Sequence, residues 1–208
     1  MRSAICTFLV VIATAAASVH AQRVEVNALG AYMFGTSTDY IRSNGAPYGE
    51  IWIAPSAVYG AAIDVKLRNN IMFEFQYMVQ PTYGEERARG LGTNSTDLTN
   101  HMIQAGGLYY STLNRQADVF GGVMFGLEVF DPAKPQYATV VRFLGTLTAG
   151  TKVWLTDAIG LRLQAALNMP MVLSGVGFYF GTGGTNYGAS TFVQLLQFNL
   201  GGGLVVRL

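Results

Sequence analysis

The chain has 208 residues, 12 % charged and 50 % hydrophobic, so it carries about half the charge of an ordinary soluble domain. Its formal net charge of +1 offers no electrostatic footprint for nucleic acid or another polyanion. What remains is either a very apolar soluble domain or a membrane protein.

The chain opens on an export signal, residues 1–21. Arg2 supplies its positive end and Phe8-Leu9-Val10-Val11-Ile12-Ala13 its apolar stretch. Val19-His20-Ala21 fits a small-x-small cleavage site, which places the cut after Ala21. The apolar stretch is shorter than the ~20 residues a helical span needs. Cys6 is the single cysteine and belongs to the signal; in Ser3-Ala4-Ile5-Cys6 it sits too early for lipoprotein acylation. The mature chain, 22–208, is expected to be one domain with no disulfide, thiol nucleophile or cysteine metal ligand. It contains no run of about 18 apolar residues, which excludes helical membrane spans.

From there the chain alternates with a period of two. Residues 23–36 set Val24, Val26, Ala28, Tyr32 and Phe34 against Glu25 and Asn27. Residues 51–67 set Ile51, Ile53, Tyr59, Ile63, Val65 and Leu67 against Asp64 and Lys66. The cleanest strand, 71–80, sets Ile71, Phe73, Phe75, Tyr77 and Val79 against Met72, Glu74, Gln76, Met78 and Gln80. Residues 99–112 form the weakest strand, and Gly106-Gly107 is where a bulge would shift its phase. Residues 118–130 set Val119, Val123, Phe125, Leu127 and Val129 against Asp118 and Glu128. Residues 139–155 set Val141, Phe143, Leu147, Val153 and Leu155 against Arg142 and Lys152. Residues 159–171 set Ile159, Leu161, Leu163, Ala165 and Leu167 against Arg162, Gln164 and Asn168. Residues 191–208 set Phe192, Leu196, Phe198, Leu200, Leu204, Val206 and Leu208 against Gln197, Asn199 and Arg207.

The connectors alternate in length. Turns at 67–70, 113–117 and 156–158 are short, whereas 37–50, 81–98, 131–138 and 172–190 are long. Short turns at one end and long loops at the other is the outer-membrane barrel arrangement, and it puts both termini on the short-turn, periplasmic side.

Alternation alone does not say which face points inward, since a soluble up-and-down barrel such as a lipocalin has the same pattern turned inside out. Three features favour the membrane. Lys and Glu are scarce. The polar face is rich in Gly, Ala, Ser and Thr, as a narrow lumen requires. Tyr32, Phe34, Tyr77, Tyr109 and Phe192 fall near strand ends on the apolar face, where interfacial girdles lie. The expected fold is all-β, an eight-stranded antiparallel up-and-down transmembrane β-barrel.

In this pattern the mature chain resembles the small eight-stranded outer-membrane barrels of the OmpA, OmpX and OmpW kind, the group described as outer-membrane β-barrel or porin-family proteins. The resemblance implies a Gram-negative outer-membrane location, contact with outer-membrane lipid and lipopolysaccharide, and insertion by the barrel-assembly machinery. Such barrels usually end in an aromatic residue. Here Gly203-Leu204-Val205-Val206-Arg207-Leu208 keeps the alternation but ends in Leu208.

The polar face carries Glu25, Asp64, Glu74, Asp118 and Glu128, matched by Lys66, Arg142, Lys152, Arg162 and Arg207. An eight-stranded barrel is just wide enough for side chains to fill. Unpaired charges there are costly, so these are expected to form ion pairs and hydrogen-bonded chains. A balanced set reads as a plug, where a selective pore would show a ring of one sign.

The loops are the other place for function. Loop two holds Tyr83, Glu85, Glu86, Arg87 and Arg89, either a self-paired solvated loop or a site at which Arg87 and Arg89 bind lipopolysaccharide phosphates. Loop four, Gly175-Val176-Gly177-Phe178-Tyr179-Phe180-Gly181, is aromatic and reads as an extension of the seventh strand turned at Thr182-Gly183-Gly184. The sequon Asn94-Ser95-Thr96 reads as a chance match.

Catalysis needs a nucleophile beside a positioned base. The mature chain offers one histidine, His101, with Ser95, Thr96 and Thr99 nearby in sequence at no diagnostic spacing. One histidine and no cysteine give no transition-metal centre, and Gly175-Val176-Gly177 lacks the context of a phosphate-binding loop. The sequence therefore reads as a non-enzymatic outer-membrane barrel with a structural or surface-interaction role and no cofactor. A narrow passive channel for small solutes or small hydrophobic molecules is the alternative. A lipid-modifying enzyme using His101 comes third.

Overall fold

The computed structural model describes residues 23–41, 47–68, 70–88, 92–134, 139–171 and 196–208. The expected signal, loop four, Arg89 and Phe192 lie outside the described residues. The strands are β1 (Val24–Met33), β2 (Thr36–Ile41), β3 (Pro47–Ile53), β4 (Ser56–Arg68) and β5 (Ile71–Ala88), then β6 (Gly92–Asn114), β7 (Ala117–Pro132), β8 (Val140–Trp154), β9 (Ile159–Met171) and β10 (Gln197–Arg207). Eight of them close a ring in the order β1-β4-β5-β6-β7-β8-β9-β10, sealed by β10 on β1 and by β5 on β6. Every pairing is antiparallel.

The orientation is settled by which face is dry. On β5 Glu74 is 0 % exposed while its neighbours Phe73 and Phe75 are 42 % and 48 % exposed. The rule repeats around the ring: Tyr59, Ile63, Phe125, Leu127, Leu163, Leu200 and Leu204 face out, and Asn27, Gln104, Glu128, Lys152 and Arg162 face in. An apolar surface that encircles the molecule far exceeds the patches a water-soluble monomer exposes. The belt is lipid-facing, and the soluble-barrel alternative is ruled out by its inverted sidedness.

β2 and β3 prolong the β1–β4 hairpin beyond the ring. Here the structure corrects the sequence reading, which ran 51–67 as one strand with Ile53 facing out. The chain takes one more residue from Ile53 to Tyr59 than β5 takes from Val79 to Gly84. A one-residue slip reverses every side chain. Ile53 therefore turns inward, 6 % exposed, and packs with Leu98 and Phe130. The slip sits at Ala54-Pro55, where proline offers no N–H to the ladder. It is held by Ala54 N–H donating to the Tyr83 carbonyl at 3.0 Å and by Thr82 Oγ1 donating to the Ala54 carbonyl at 2.7 Å. Gly35 crosses close by: a Cβ there would lie 3.0 Å from Pro55 Cδ.

Two further expectations change. Residues 81–98 are not an irregular loop; β5 and β6 pair without a break as far as Ala88 and Gly92, a ribbon standing beyond the belt. Nor does Gly106-Gly107 bulge, since those residues pair with Glu74 and Phe73 in unbroken register. The register shift on β6 falls between Thr112 and Asn114, beside the turn into β7. Gly106 faces inward where a Cβ would overlap the Val123 carbonyl oxygen, so β6 and β7 can hug each other at this point only with glycine.

Candidate functional site: the charge cluster in the lumen

Register builds the site. On one wall β1, β4 and β5 set Glu25 opposite Asp64 and Asp64 opposite Glu74, placing three acids abreast. On the far wall β7, β8 and β9 set Asp118 opposite Lys152 and Lys152 opposite Arg162. The cations reach across. Lys152 Nζ donates to Glu25 Oε2 at 2.6 Å and to Asp64 Oδ2 at 2.5 Å. Arg162 Nη1 donates to Glu74 Oε2 at 2.5 Å and Nη2 to Glu74 Oε1 at 3.2 Å. Asn27 Nδ2 adds a bond to Asp64 Oδ2 at 3.1 Å. These five charged side chains are all buried, at 1 % exposure or less.

Aromatic faces complete the cage. The Arg162 guanidinium lies 4.6 Å from the Phe120 ring centre and Lys152 Nζ 4.9 Å from that of Tyr110. At the turn-end mouth Arg23, which the sequence reading did not count, donates from Nε to Glu25 Oε1 at 2.7 Å. The Arg207 guanidinium lies 3.6 Å over the Trp154 ring, whose Nε1 donates to Asp118 Oδ2 at 2.8 Å. Glu25, Asp64, Glu74 and Asp118 thus meet Arg23, Lys152, Arg162 and Arg207 with equal charge of each sign. Balance is what such burial demands, because a lone charge in this medium costs several kcal/mol, on the order of a fold's spare stability. Lys66 is half-buried and makes no ion pair among the described residues.

Above the cluster the filling changes character. Met78, Met102, Met124, Gln76, Gln104 and Gln164 surround a cavity of about 10 Å³, close to the size of one water. Met33, Leu29, Val58 and Leu144 pack beside it. Nearer the loop end Glu128 is buried, accepting from Asn100 Nδ2 at 2.5 Å. Arg142, opposite Glu128 in register, is half-buried with its guanidinium 5.5 Å from the Phe130 ring centre.

The other candidates lie outside the lumen. His101 faces outward, and its Nδ1 shares a 2.8 Å hydrogen bond with the Tyr77 hydroxyl. Among the described residues no hydrogen bond joins it to Ser95, Thr96 or Thr99. On the ribbon Arg87 pairs with Glu85 at 2.9 Å, and its guanidinium lies 5.7 Å from the Trp52 ring centre, with Tyr83 edge-on to that ring. Among the described residues no three His, Cys, Asp or Glu side chains are grouped to hold a metal ion.

Solved structures share this architecture. Neisserial surface protein A superposes with a TM-score of 0.59 at 15% identity, over 89% of this chain and 97% of that one. The outer membrane protein OprG from Pseudomonas aeruginosa gives 0.59 at 11% identity, over 90% and 96%. The outer membrane protein AlkL, solved in DMPC bilayers, gives 0.51 at 17% identity, over 90% and 89%. No protein-family model and no curated protein matches the sequence. At such identities the likeness concerns the fold, and the fold is that of the small eight-stranded outer-membrane β-barrels.

Proposed function

We propose that this is an integral outer-membrane protein with a structural or surface-interaction role, without catalysis and without a conducting lumen. One observation carries the reading: Lys152 and Arg162 tie Glu25, Asp64 and Glu74 into a cross-lumen knot with no exposed member. An ion entering would have to break hydrogen bonds between fully desolvated charges. The short turns and both chain termini face the periplasm, and the β2–β3 and β5–β6 ribbons face the cell exterior. Outer-membrane lipid meets the apolar belt, the Arg87, Trp52 and Tyr83 face meets lipopolysaccharide headgroups, and the barrel-assembly machinery engages β10 during insertion. Planar-bilayer recording of the refolded mature chain tests the closed lumen. Silence is expected; discrete, reproducible conductance steps would overturn it.

A second reading, passage of small apolar molecules, is favoured by the slip at Ala54-Pro55. Between Ile53–Gly84 and Tyr59–Val79 no ladder pair joins β5 to β3 or β4; Pro55 and Pro81 lie inside the interval, which only the Ala54–Tyr83 and Thr82–Ala54 hydrogen bonds bridge. Restoring an amide donor with Pro81→Val would slow uptake of an apolar dye into proteoliposomes if this seam is the route. Equal rates with and without protein remove this reading.

A further inference from the structure

The short turn from β4 into β5 carries a cation to the outside of the barrel. In the sequence Arg68 continues the inward parity of Asp64 and Lys66. The register between β4 and β5 shifts between Lys66 and Arg68, however, and pairs Arg68 with Ile71. A one-residue slip reverses the face, so the bulge turns Arg68 outward beside Ile71. Ile71 in turn pairs with Tyr109 on β6. Arg68, Ile71 and Tyr109 therefore stand abreast on the outer wall, at the turn-end edge of the apolar belt, and all three are exposed. With Asn70 they line an open groove of about 440 Å³. Asn70 Nδ2 donates to the Tyr110 carbonyl at 2.8 Å, which leaves the amide oxygen to accept from another group. On the far side of Tyr109 the next residue in register is Gly121, which has no side chain to cover the flank of the ring.

The groove is cationic and apolar at once. Among the described residues no carboxylate pairs with Arg68. Once the lumen cluster has balanced itself, the charged side chains left at the turn end are Lys66, Arg68 and Arg115 against Asp157. The excess is positive, and Arg68 is the member of it that stands on the lipid-facing wall. We infer that this groove seats an anionic phospholipid whose headgroup bears hydroxyls, of the phosphatidylglycerol class. Its phosphate lies on the Arg68 guanidinium and the Tyr109 hydroxyl, its headgroup hydroxyls on Asn70, and an acyl chain along Ile71 and the open flank of Tyr109. A guanidinium offers a phosphate parallel N–H donors, and a tyrosine at the belt edge sits at headgroup level. Phosphatidylcholine fits less well. Its own cation competes for the phosphate, it brings no hydroxyl to Asn70, and the groove holds no acid to receive the choline. The seat rests on the proposed outer-membrane reading, in which the turn-end edge of the belt meets the periplasmic leaflet.

The test is native mass spectrometry of the mature chain refolded in detergent, titrated with phosphatidylglycerol and with phosphatidylcholine of the same acyl chains. One phosphatidylglycerol is expected to be retained at about tenfold lower concentration, the worth of a single charge-assisted hydrogen bond. Arg68→Gln abolishes the preference. Arg115→Gln makes the same charge change at the next short turn, on a side chain that lines the barrel mouth and not the groove, and preserves it. Inorganic phosphate in excess leaves the lipid bound, because it lacks the acyl chain. Four outcomes overturn the seat: equal retention of the two lipids by the wild type, a preference that survives Arg68→Gln, one that falls as far in Arg115→Gln, or displacement of the lipid by inorganic phosphate. Heat-modifiable gel mobility of the same samples reports folding. A chain that never forms a barrel in detergent removes the outer-membrane reading and the seat together, whereas a folded barrel without a lipid preference removes the seat alone.

Discussion

Arg162 grips Glu74 from the opposite wall of the barrel with two nitrogens on two oxygens, at 2.5 Å and 3.2 Å. A paired fork of this kind fixes both orientation and spacing, so it braces two strands that share no ladder. Glu74→Ala leaves Arg162 buried without its partner and is expected to cost about 3–5 kcal/mol. Urea unfolding in detergent micelles, followed by tryptophan fluorescence, measures it. Glu74→Leu combined with Arg162→Met should regain most of the loss, since no charge is then left alone.

Gly126 on the inner wall and Gly107 on the outer differ sharply. A Cβ on Gly126 would overlap the Ile103 carbonyl oxygen and lie 2.7 Å from Gln104 Cα, whereas one on Gly107 meets nothing within 4 Å. Gly126→Ala is expected to cost more than about 2 kcal/mol or to block folding, and Gly107→Ala to be neutral or slightly stabilising. Heat-modifiable gel mobility separates folded from unfolded barrel for both.

Ile53 provides a check on the slip between β3 and β4. Pointing inward against Leu98 and Phe130, it should lose about 2–5 kcal/mol on truncation to Ala. An outward, lipid-facing isoleucine would lose far less in micelles. A loss similar to that of Ile63→Ala, which truncates an outward residue on β4, would show that the two strands keep one phase.

The Tyr77–His101 bond lies on the outer surface, where both partners also reach solvent or lipid headgroups. His101→Ala is expected to move stability by no more than about 1 kcal/mol. Mass spectrometry of lipid A from cells expressing the chain should show the same acyl pattern for wild type and variant; a pattern that depends on His101 would make the protein an enzyme.

The barrel was legible because alternation is a local property. Phe73, Glu74 and Phe75 declare their faces without knowledge of any partner, and the short turns fix where each strand reverses. What the pattern could not carry was register across strands. That Lys152 meets both Glu25 and Asp64, while Glu128 is left with amides, depends on pairings between residues far apart in the chain. Arg23 shares the parity of Glu25 and Asn27, so its place on the inner face is legible; its bond to Glu25 is not. A two-residue period puts Ile53 on the outer face because it cannot register the single extra residue at Ala54-Pro55; the proline is the available signal. The β5–β6 ribbon looked like a loop because Glu85, Glu86, Arg87 and Asn94 are polar on both faces, as strands standing clear of lipid can be.

The interior is electrically lopsided. Among the described residues most of the inward ionisable groups sit at the turn end, and in the loop-end half the barrel strands direct Glu128 and Arg142 inward. A chain that enters the bilayer with its loops leading need never drag the heavy half of its charge through hydrocarbon. That half can stay at the starting side, neutralise itself last, and lock the finished wall in place.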